Sequence, residues 1–223
     1  MQPIFITGIG TGVGKTLVSA IVTEALGAYY WKPVQAGFEG GTDSEWVRER
    51  IGMYGSGEAS GHVDPGVRVA PELYKLKLPA SPHIAAREEG VEINLGKIAA
   101  ALPAGRPLVV EGAGGLLVPL NRREFVLDLV KRLDATVILV SRNYLGSINH
   151  SLLTAEVCRK HGLRVAGWIF SDQYLHYEQE IVSWSGIPAI GSVPFGNLLD
   201  GEFVREQAGL IGPALRKVLG INQ

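Results

Sequence analysis

Short apolar runs rich in β-branched residues alternate along the chain with segments in which apolar residues recur three and four positions apart. Ile4–Thr7, Tyr29–Pro33, Leu108–Glu111, Thr136–Ser141, Val165–Phe170 and Ala189–Val193 make up the first set and predict strands. They are apolar almost without interruption, as strands covered on both faces must be. The second set predicts helices. Lys15–Leu26 is one; Val126, Leu129, Val130 and Leu133 mark another, and Val204, Ala208, Ile211, Leu215 and Val218 a third near the carboxyl end. Ser81 followed by Pro82 is a start signal for a further helix over His83–Glu89. Strand, helix, strand in repetition predicts an α/β fold with a doubly wound, mostly parallel sheet and helices on both faces. The turn-rich stretch from Gly52 to Gly66 breaks the alternation and reads as an exposed surface loop rather than a lid. With no internal repeat and no linker, residues 1–223 read as a single domain.

Composition narrows the classes of partner. The 223 residues carry 21 basic and 22 acidic side chains, a formal net charge of −1, so no basic face is offered to nucleic acid or to an anionic membrane. The first apolar run is short and lacks a basic stretch before it, and no run approaches the ~18 residues of a membrane span, so a cytoplasmic protein is expected. Glycine, at 29 residues, is well above the usual ~7% and implies many tight turns. The one cysteine, Cys158, stands at helical spacing from Ile148, Leu152 and Ala155 and reads as a core residue.

The first strand runs directly into Gly8-Ile9-Gly10-Thr11-Gly12-Val13-Gly14-Lys15-Thr16. Glycines between a strand and a helix let backbone N–H groups turn inward on phosphate. Lys15 then adds a point charge for the outer phosphates, and the Thr16 hydroxyl can join a Mg²⁺ shell. Gly8 lies one residue further from Gly-Lys-Thr than the usual spacing allows. The motif is therefore an off-pattern P-loop, which implies a P-loop NTPase-type sheet with a nucleoside triphosphate as the expected ligand; a glycine-rich turn with no ligand is the plain alternative.

Other chemistry sits at strand ends, where doubly wound sheets bind ligands. Trp31-Lys32-Pro33-Val34-Gln35-Ala36-Gly37 delivers a second lysine, suited to a transferring phosphoryl group or an anionic substrate, or simply a solvated charge. Val109-Val110-Glu111-Gly112-Ala113-Gly114-Gly115 delivers a carboxylate followed by small residues. Beside a triphosphate such a carboxylate calls for a divalent cation, so Glu111 reads as a Mg²⁺ ligand, direct or through water, with an N-cap or salt-bridge glutamate as the plain alternative. Asp43, in Gly41-Thr42-Asp43-Ser44, is either a helix-start carboxylate or a metal ligand. His83 is a general base or a capping residue. Leu145-Gly146-Ser147-Ile148-Asn149-His150 opens a helix whose N–H groups could hold an anion, or is a plain helix start.

In order along the chain, Thr7-Gly8 through Thr16, Lys32-Pro33-Val34 with Gly37, Asp43-Ser44, Ser81-Pro82-His83, Glu111 to Gly115, and Leu145-Gly146 with Ile148-Asn149-His150 resemble dethiobiotin synthetase, the ATP-dependent enzyme of biotin biosynthesis. The long phosphate loop is the form that family carries. The resemblance implies the reaction of 7,8-diaminopelargonic acid, CO₂ and ATP to dethiobiotin, ADP and phosphate through a phosphorylated carbamate. It implies that Gly12, Val13, Gly14, Lys15, Thr16 and Leu17 cradle the phosphates. Lys15 and Lys32 then face the carbamate and γ-phosphate, and Thr16, Asp43 and Glu111 surround Mg²⁺. Gly112, Ala113 and Gly114 line the nucleotide, while Ser171, Asp172, Val193, Pro194 and Phe195 lie beside the base. Ala36 and Ser81 fall on the substrate side. The resemblance further implies a homodimer in which Gly146, Ser147, Ile148 and Asn149 receive the substrate carboxylate from across the interface.

Two positions depart from the family pattern. Ala36 stands where Ser or Thr is common, so a contact there would come from backbone. Ser171 stands where an asparagine commonly reads the adenine edge; a hydroxyl cannot pair bidentately, and looser base choice is expected. A nucleotide-switch ATPase of the cell-division or plasmid-partition kind is the alternative. Those proteins usually carry a second lysine early in the loop, and Gly8-Ile9-Gly10 has none. A cobalamin-type amidoligase would need a glutamine-hydrolysing domain for which this chain has no length.

Overall fold

The computed structural model describes residues 1–52, 68–105, 107–172, 174–194, 196 and 198–221. The elements come in the order β1 (Ile4–Gly8), α1 (Lys15–Leu26), β2 (Tyr29–Trp31), β3 (Val34–Ala36), α2 (Asp43–Arg50), β4 (Val69–Ala70), β5 (Tyr74–Leu76), α3 (Pro82–Glu88) and α4 (Leu95–Ala100). Then follow β6 (Leu108–Glu111), α5 (Val126–Arg132), β7 (Thr136–Arg142), α6 (Ser147–Lys160), β8 (Arg164–Ser171), α7 (Glu178–Ser185), β9 (Ala189–Val193) and α8 (Gly201–Leu219). Seven strands form one sheet in the order β4-β2-β6-β1-β7-β8-β9, every pairing parallel, as the uninterrupted apolar runs predict.

Alternation along each strand sends successive side chains into two cores. Phe5, Trp31, Val110, Leu139, Trp168 and Phe170 enter one. Ile4, Ile6, Tyr30, Val109, Ile138, Val140 and Ile169 enter the other, which α1 and α8 cover with Val18, Ile21, Val22, Val204, Ile211 and Leu215. Helix ends follow local chemistry. Gly27 and Gly220, both left-handed, close α1 and α8, and the Asp200 carboxylate accepts from Phe203 N at 2.9 Å to open α8.

The structure departs from the sequence reading at Pro33. The run Tyr29–Pro33 is one strand only as far as Trp31. Pro33 has no N–H for the ladder, and the chain leaves the main sheet there. It resumes as β3, which pairs with β5 in a separate two-stranded parallel sheet, while the Pro33 carbonyl accepts from Leu73 and Tyr74. Helix α3 starts at Pro82 rather than His83, because proline is suited to the first helical position. The short strands β4 and β5 are too brief to show a period in sequence. Of the Gly52–Gly66 loop, only Gly52 falls within the described residues. Among the described residues no helix is long and apolar enough to cross a membrane.

Chain order places the chemistry. From β1 the polypeptide crosses to β2 on one side and later returns to β7 on the other, so β1 lies between β6 and β7 at the reversal of strand order. Along the carboxyl edge the ends of β1, β6 and β2 are consecutive. The phosphate loop, Glu111 and Lys32 are neighbours by topology.

Cys158 is buried, 1% exposed, on the inner face of α6, and burial pushes its thiol up to about 12. The raised value means that the thiol's contribution to stability is complete below its ordinary value of 9.0 and is lost as pH rises toward about 12. At pH 8 the folded protein is expected to leave Cys158 unmodified by a thiol-reactive disulfide reagent over hours, and to release one equivalent of thiol in urea. Rapid reaction of the folded protein would show that the site opens.

Candidate active site

Gly12 and Gly14 take left-handed conformations, φ +72° and +89°, and Gly14 is the residue before α1. No side chain caps that helix start. Its free N–H groups and the positive end of its dipole therefore face the loop, which is the arrangement that holds phosphate. Inside the loop Lys15 is buried and donates to Gly10 O at 2.7 Å. Burial, then the neighbouring Lys32, lower its pKa to about 8 against the pull of Glu111 and Asp43.

The carboxylate of Glu111, 1% exposed at the end of β6, is the meeting point of the site. Its Oε1 accepts from Thr16 Oγ1 and from Lys32 Nζ, each at 2.9 Å, and its Oε2 accepts from the Tyr30 hydroxyl at 2.9 Å. Lys32 also pairs with Asp43. Burial alone would push Lys32 down; Glu111 and Asp43 outweigh it, and the lysine titrates above its usual range and stays charged. For Tyr30, burial and then the charge on Glu111 hold the phenol well above 10, so it remains a donor.

Asp43 is brought in by a capping box one residue earlier. Thr42 Oγ1 accepts from Glu45 N at 3.1 Å while Glu45 Oε2 accepts from Thr42 N at 2.7 Å, which fixes the first turn of α2. The buried Gln35 steadies the same turn: its Oε1 accepts from Asp43 N at 3.4 Å and its amide donates to Gly37 O at 2.7 Å. Gly37, at φ +74°, lies so close to Pro79 that a Cβ would stand 2.7 Å from the proline ring.

These groups line one cavity of about 680 Å³. Lys15, Thr16, Lys32, Asp43 and Glu111 share it with Ala36 and Ser81 and with Gly12, Gly14, Leu17, Ala113 and Gly114. Its donor set suits a hard cation: two carboxylates and a hydroxyl, with the Lys32 ammonium already lying between the carboxylates. Among the described residues no three His, Cys, Asp or Glu side chains cluster into a cage. A Mg²⁺ ion here would rest on Thr16, Asp43 and Glu111 and take its remaining oxygens from phosphate and water, the usual mode for that ion.

Other expected residues lie elsewhere. Val13 and Gly112 are buried behind the loop, and Gly112 N donates to Ile6 O at 2.9 Å. Ser171 Oγ donates to Val13 O at 3.0 Å, so its hydroxyl is engaged with the phosphate loop. Asp172, at φ +68°, pairs with Arg142 at 3.3 Å, and its N–H donates to Val193 O at 3.2 Å. Val193 is buried and Pro194 half-buried; Phe195 lies outside the described residues. Gly146 is a left-handed helix start, φ +102°, with Ser147 buried, Ile148 half-buried and Asn149 exposed, none of them lining the cavity. His83 bonds Ser81 Oγ through Nδ1 at 3.0 Å and faces a larger cavity, about 860 Å³, beyond α3. That cavity contains no phosphate-loop residue, and the smaller one carries the chemistry. Sequence reading missed Tyr30 and Gln35. Strand alternation from Lys32 pointed to Tyr30, two residues earlier on the same face.

A family model described as an AAA domain matches residues 2–202. ATP-dependent dethiobiotin synthetase BioD from Cytophaga hutchinsonii is 52% identical over 171 residues, 77% of each chain. The corresponding proteins from Rhodopseudomonas palustris and Novosphingobium aromaticivorans are each 43% identical, the first over 86% of this chain and 85% of its own, the second over 90% and 91%. This chain belongs to the dethiobiotin synthetase family. Among solved structures, the cell-division ATPase MinD of Pyrococcus furiosus superposes with a TM-score of 0.58 at 13% identity, covering 98% of this chain and 100% of its own. A ParA-family ATPase of Chlorobium tepidum gives 0.52 at 15%, covering 99% and 94%. These share the fold.

Lys32→Ala would leave Glu111 and Asp43 facing each other without their cation. In metal-free solution the variant is expected to lose on the order of 3 kcal/mol of stability. Added Mg²⁺ should raise its melting temperature more than that of the parent, as measured by scanning calorimetry. Equal increments would show that the carboxylates do not share a cation site.

Proposed function

We propose that this protein is the ATP- and Mg²⁺-dependent cyclo-ligase that closes the ureido ring of dethiobiotin from 7,8-diaminopelargonic acid and CO₂. The observation that carries this reading is the convergence of Lys15, Thr16, Lys32, Asp43 and Glu111 on one cavity in a chain 52% identical to a dethiobiotin synthetase. One amine of the substrate adds to CO₂ and loses a proton, giving a carbamate. A carbamate oxygen attacks the γ-phosphorus and the bond to ADP breaks. The second amine then attacks the carbamoyl carbon, the ring closes and phosphate leaves.

The protein's part is positioning and charge neutralisation. The start of α1 and the glycine loop hold the phosphates. Lys32, kept charged by its carboxylates, faces the carbamate and the transferring phosphoryl group, and Lys15 neutralises the same group from the loop side. Thr16, Asp43 and Glu111 would hold Mg²⁺, which supplies charge neutralisation to the phosphate oxygens. Ala36 and Ser81 border the diamine. Exposed Leu145 and Leu153, 82% and 58%, flank the Gly146–Asn149 helix start and support a homodimer in which that start meets the substrate carboxylate of the other copy. The protein is a single-domain, cytoplasmic enzyme in this reading.

Phosphate release from Mg-ATP with bicarbonate should depend on the diamine and be matched by dethiobiotin detected by mass. Release indifferent to the diamine, without product, would return the chain to the switch-ATPase class. Because the Ser171 hydroxyl is committed to Val13 O, base choice should be loose, with GTP and CTP supporting turnover within about tenfold of ATP, the factor that one modest contact supplies. Strict ATP dependence in a nucleotide panel would contradict this.

A further inference from the structure

Tyr30 is fully buried in β2, packed in the apolar core with Val109 as its register partner on β6. A phenylalanine would fill that space as well. A hydroxyl taken into an apolar core is costly unless it is partnered, and this one donates to Glu111 Oε2 at 2.9 Å. The register explains the reach. Side chains two apart share a face, so Tyr30 on β2 and Lys32 just after it lie on the same side as Val109 and Glu111 on β6. The phenol approaches the carboxylate from the core while Lys32 and Thr16 approach it from the cavity.

The two oxygens of Glu111 are thus assigned to different tasks. Oε1 is on the cavity side with Thr16, and Oε2 is tied inward. We infer that Tyr30 is a positioning residue for the cation site: its hydroxyl fixes the rotation of the Glu111 carboxylate so that Oε1 stays presented beside Thr16 for the divalent ion of the nucleotide. Without the hydroxyl, Oε2 is left buried and unpartnered, and the carboxylate turns to share its remaining donors between both oxygens. This rests on Glu111 being a cation ligand, as proposed above. A partner that orients a ligating carboxylate in this way typically changes metal affinity by about 10- to 100-fold.

The test is a Mn²⁺ titration followed by electron paramagnetic resonance on the full chain with a non-hydrolysable ATP analogue bound. Tyr30→Phe should weaken Mn²⁺ binding at least about tenfold, leave binding of the analogue in EDTA unchanged, and recover turnover at raised Mg²⁺. Glu111→Gln should weaken Mn²⁺ binding too, and Tyr30→Phe should add little in that background, since both act through one carboxylate. Should Tyr30→Phe fail to fold, as judged by circular dichroism, Tyr30→Met removes the same hydroxyl and is read in the same way. Unchanged Mn²⁺ affinity in the Tyr30 variant, with Glu111→Gln weakened, would reduce Tyr30 to a packing residue and overturn the inference alone. Unchanged affinity in Glu111→Gln would overturn the cation reading itself. Fully additive effects would show that Tyr30 acts elsewhere than on Glu111.

Discussion

A carboxylate buried at the end of a central strand sets the terms for this site. Glu111 has almost no contact with water, and a charge in that position persists only where donors surround it. Its three donors come from two elements and the residue after one of them: Thr16 from the first turn of α1, Tyr30 from β2, and Lys32 directly after β2. Satisfying one side chain therefore requires β1, β6 and β2 to lie side by side with their carboxyl ends level. The parallel register that builds the two apolar cores also brings these donors to Glu111.

The same network divides the two lysines. Each is buried, and burial works against an ammonium in both cases. Lys32 lies directly between Glu111 and Asp43 and gains more from them than burial costs it. Lys15 turns to a backbone carbonyl, is further disfavoured by Lys32, and is left below its ordinary range. Two lysines in one cavity thus differ in how firmly they hold their proton. Lys32 is a fixed positive charge, and Lys15 is one whose charge a phosphate would reinforce. In the proposed reading the cavity takes an anion accompanied by a cation: a ligand phosphate would engage Lys15 and the N–H groups at the start of α1, and a divalent ion would share the carboxylates that Lys32 contacts.

The fold was largely legible in the chain. Uninterrupted apolar runs can be accommodated only between two covering layers, so the parallel doubly wound sheet followed from periodicity, and Gly-Lys-Thr after the first strand marked its phosphate-binding edge. Strand β4 and the pair β3 and β5 were not legible, because two or three residues carry no period and Pro33 redirects the chain in a way that only its neighbours at Leu73 and Tyr74 complete. Lys15, Thr16, Lys32, Asp43 and Glu111 stood out as charges or hydroxyls at element ends, and tertiary structure brings all five to one cavity.

The covalent order of residues thus determined which side chains would be available at the carboxyl edge of the sheet and which runs would be buried, since these depend on local periodicity and turn chemistry. It did not determine which groups would touch. That Tyr30, an ordinary core aromatic in its own strand, reaches Glu111 81 positions away, or that Ser171 gives its hydroxyl to Val13, depends on strand order and register, which arise only when distant segments pack together. Hydrogen bonds act over about 3 Å, and only the folded chain brings such separated atoms within that distance.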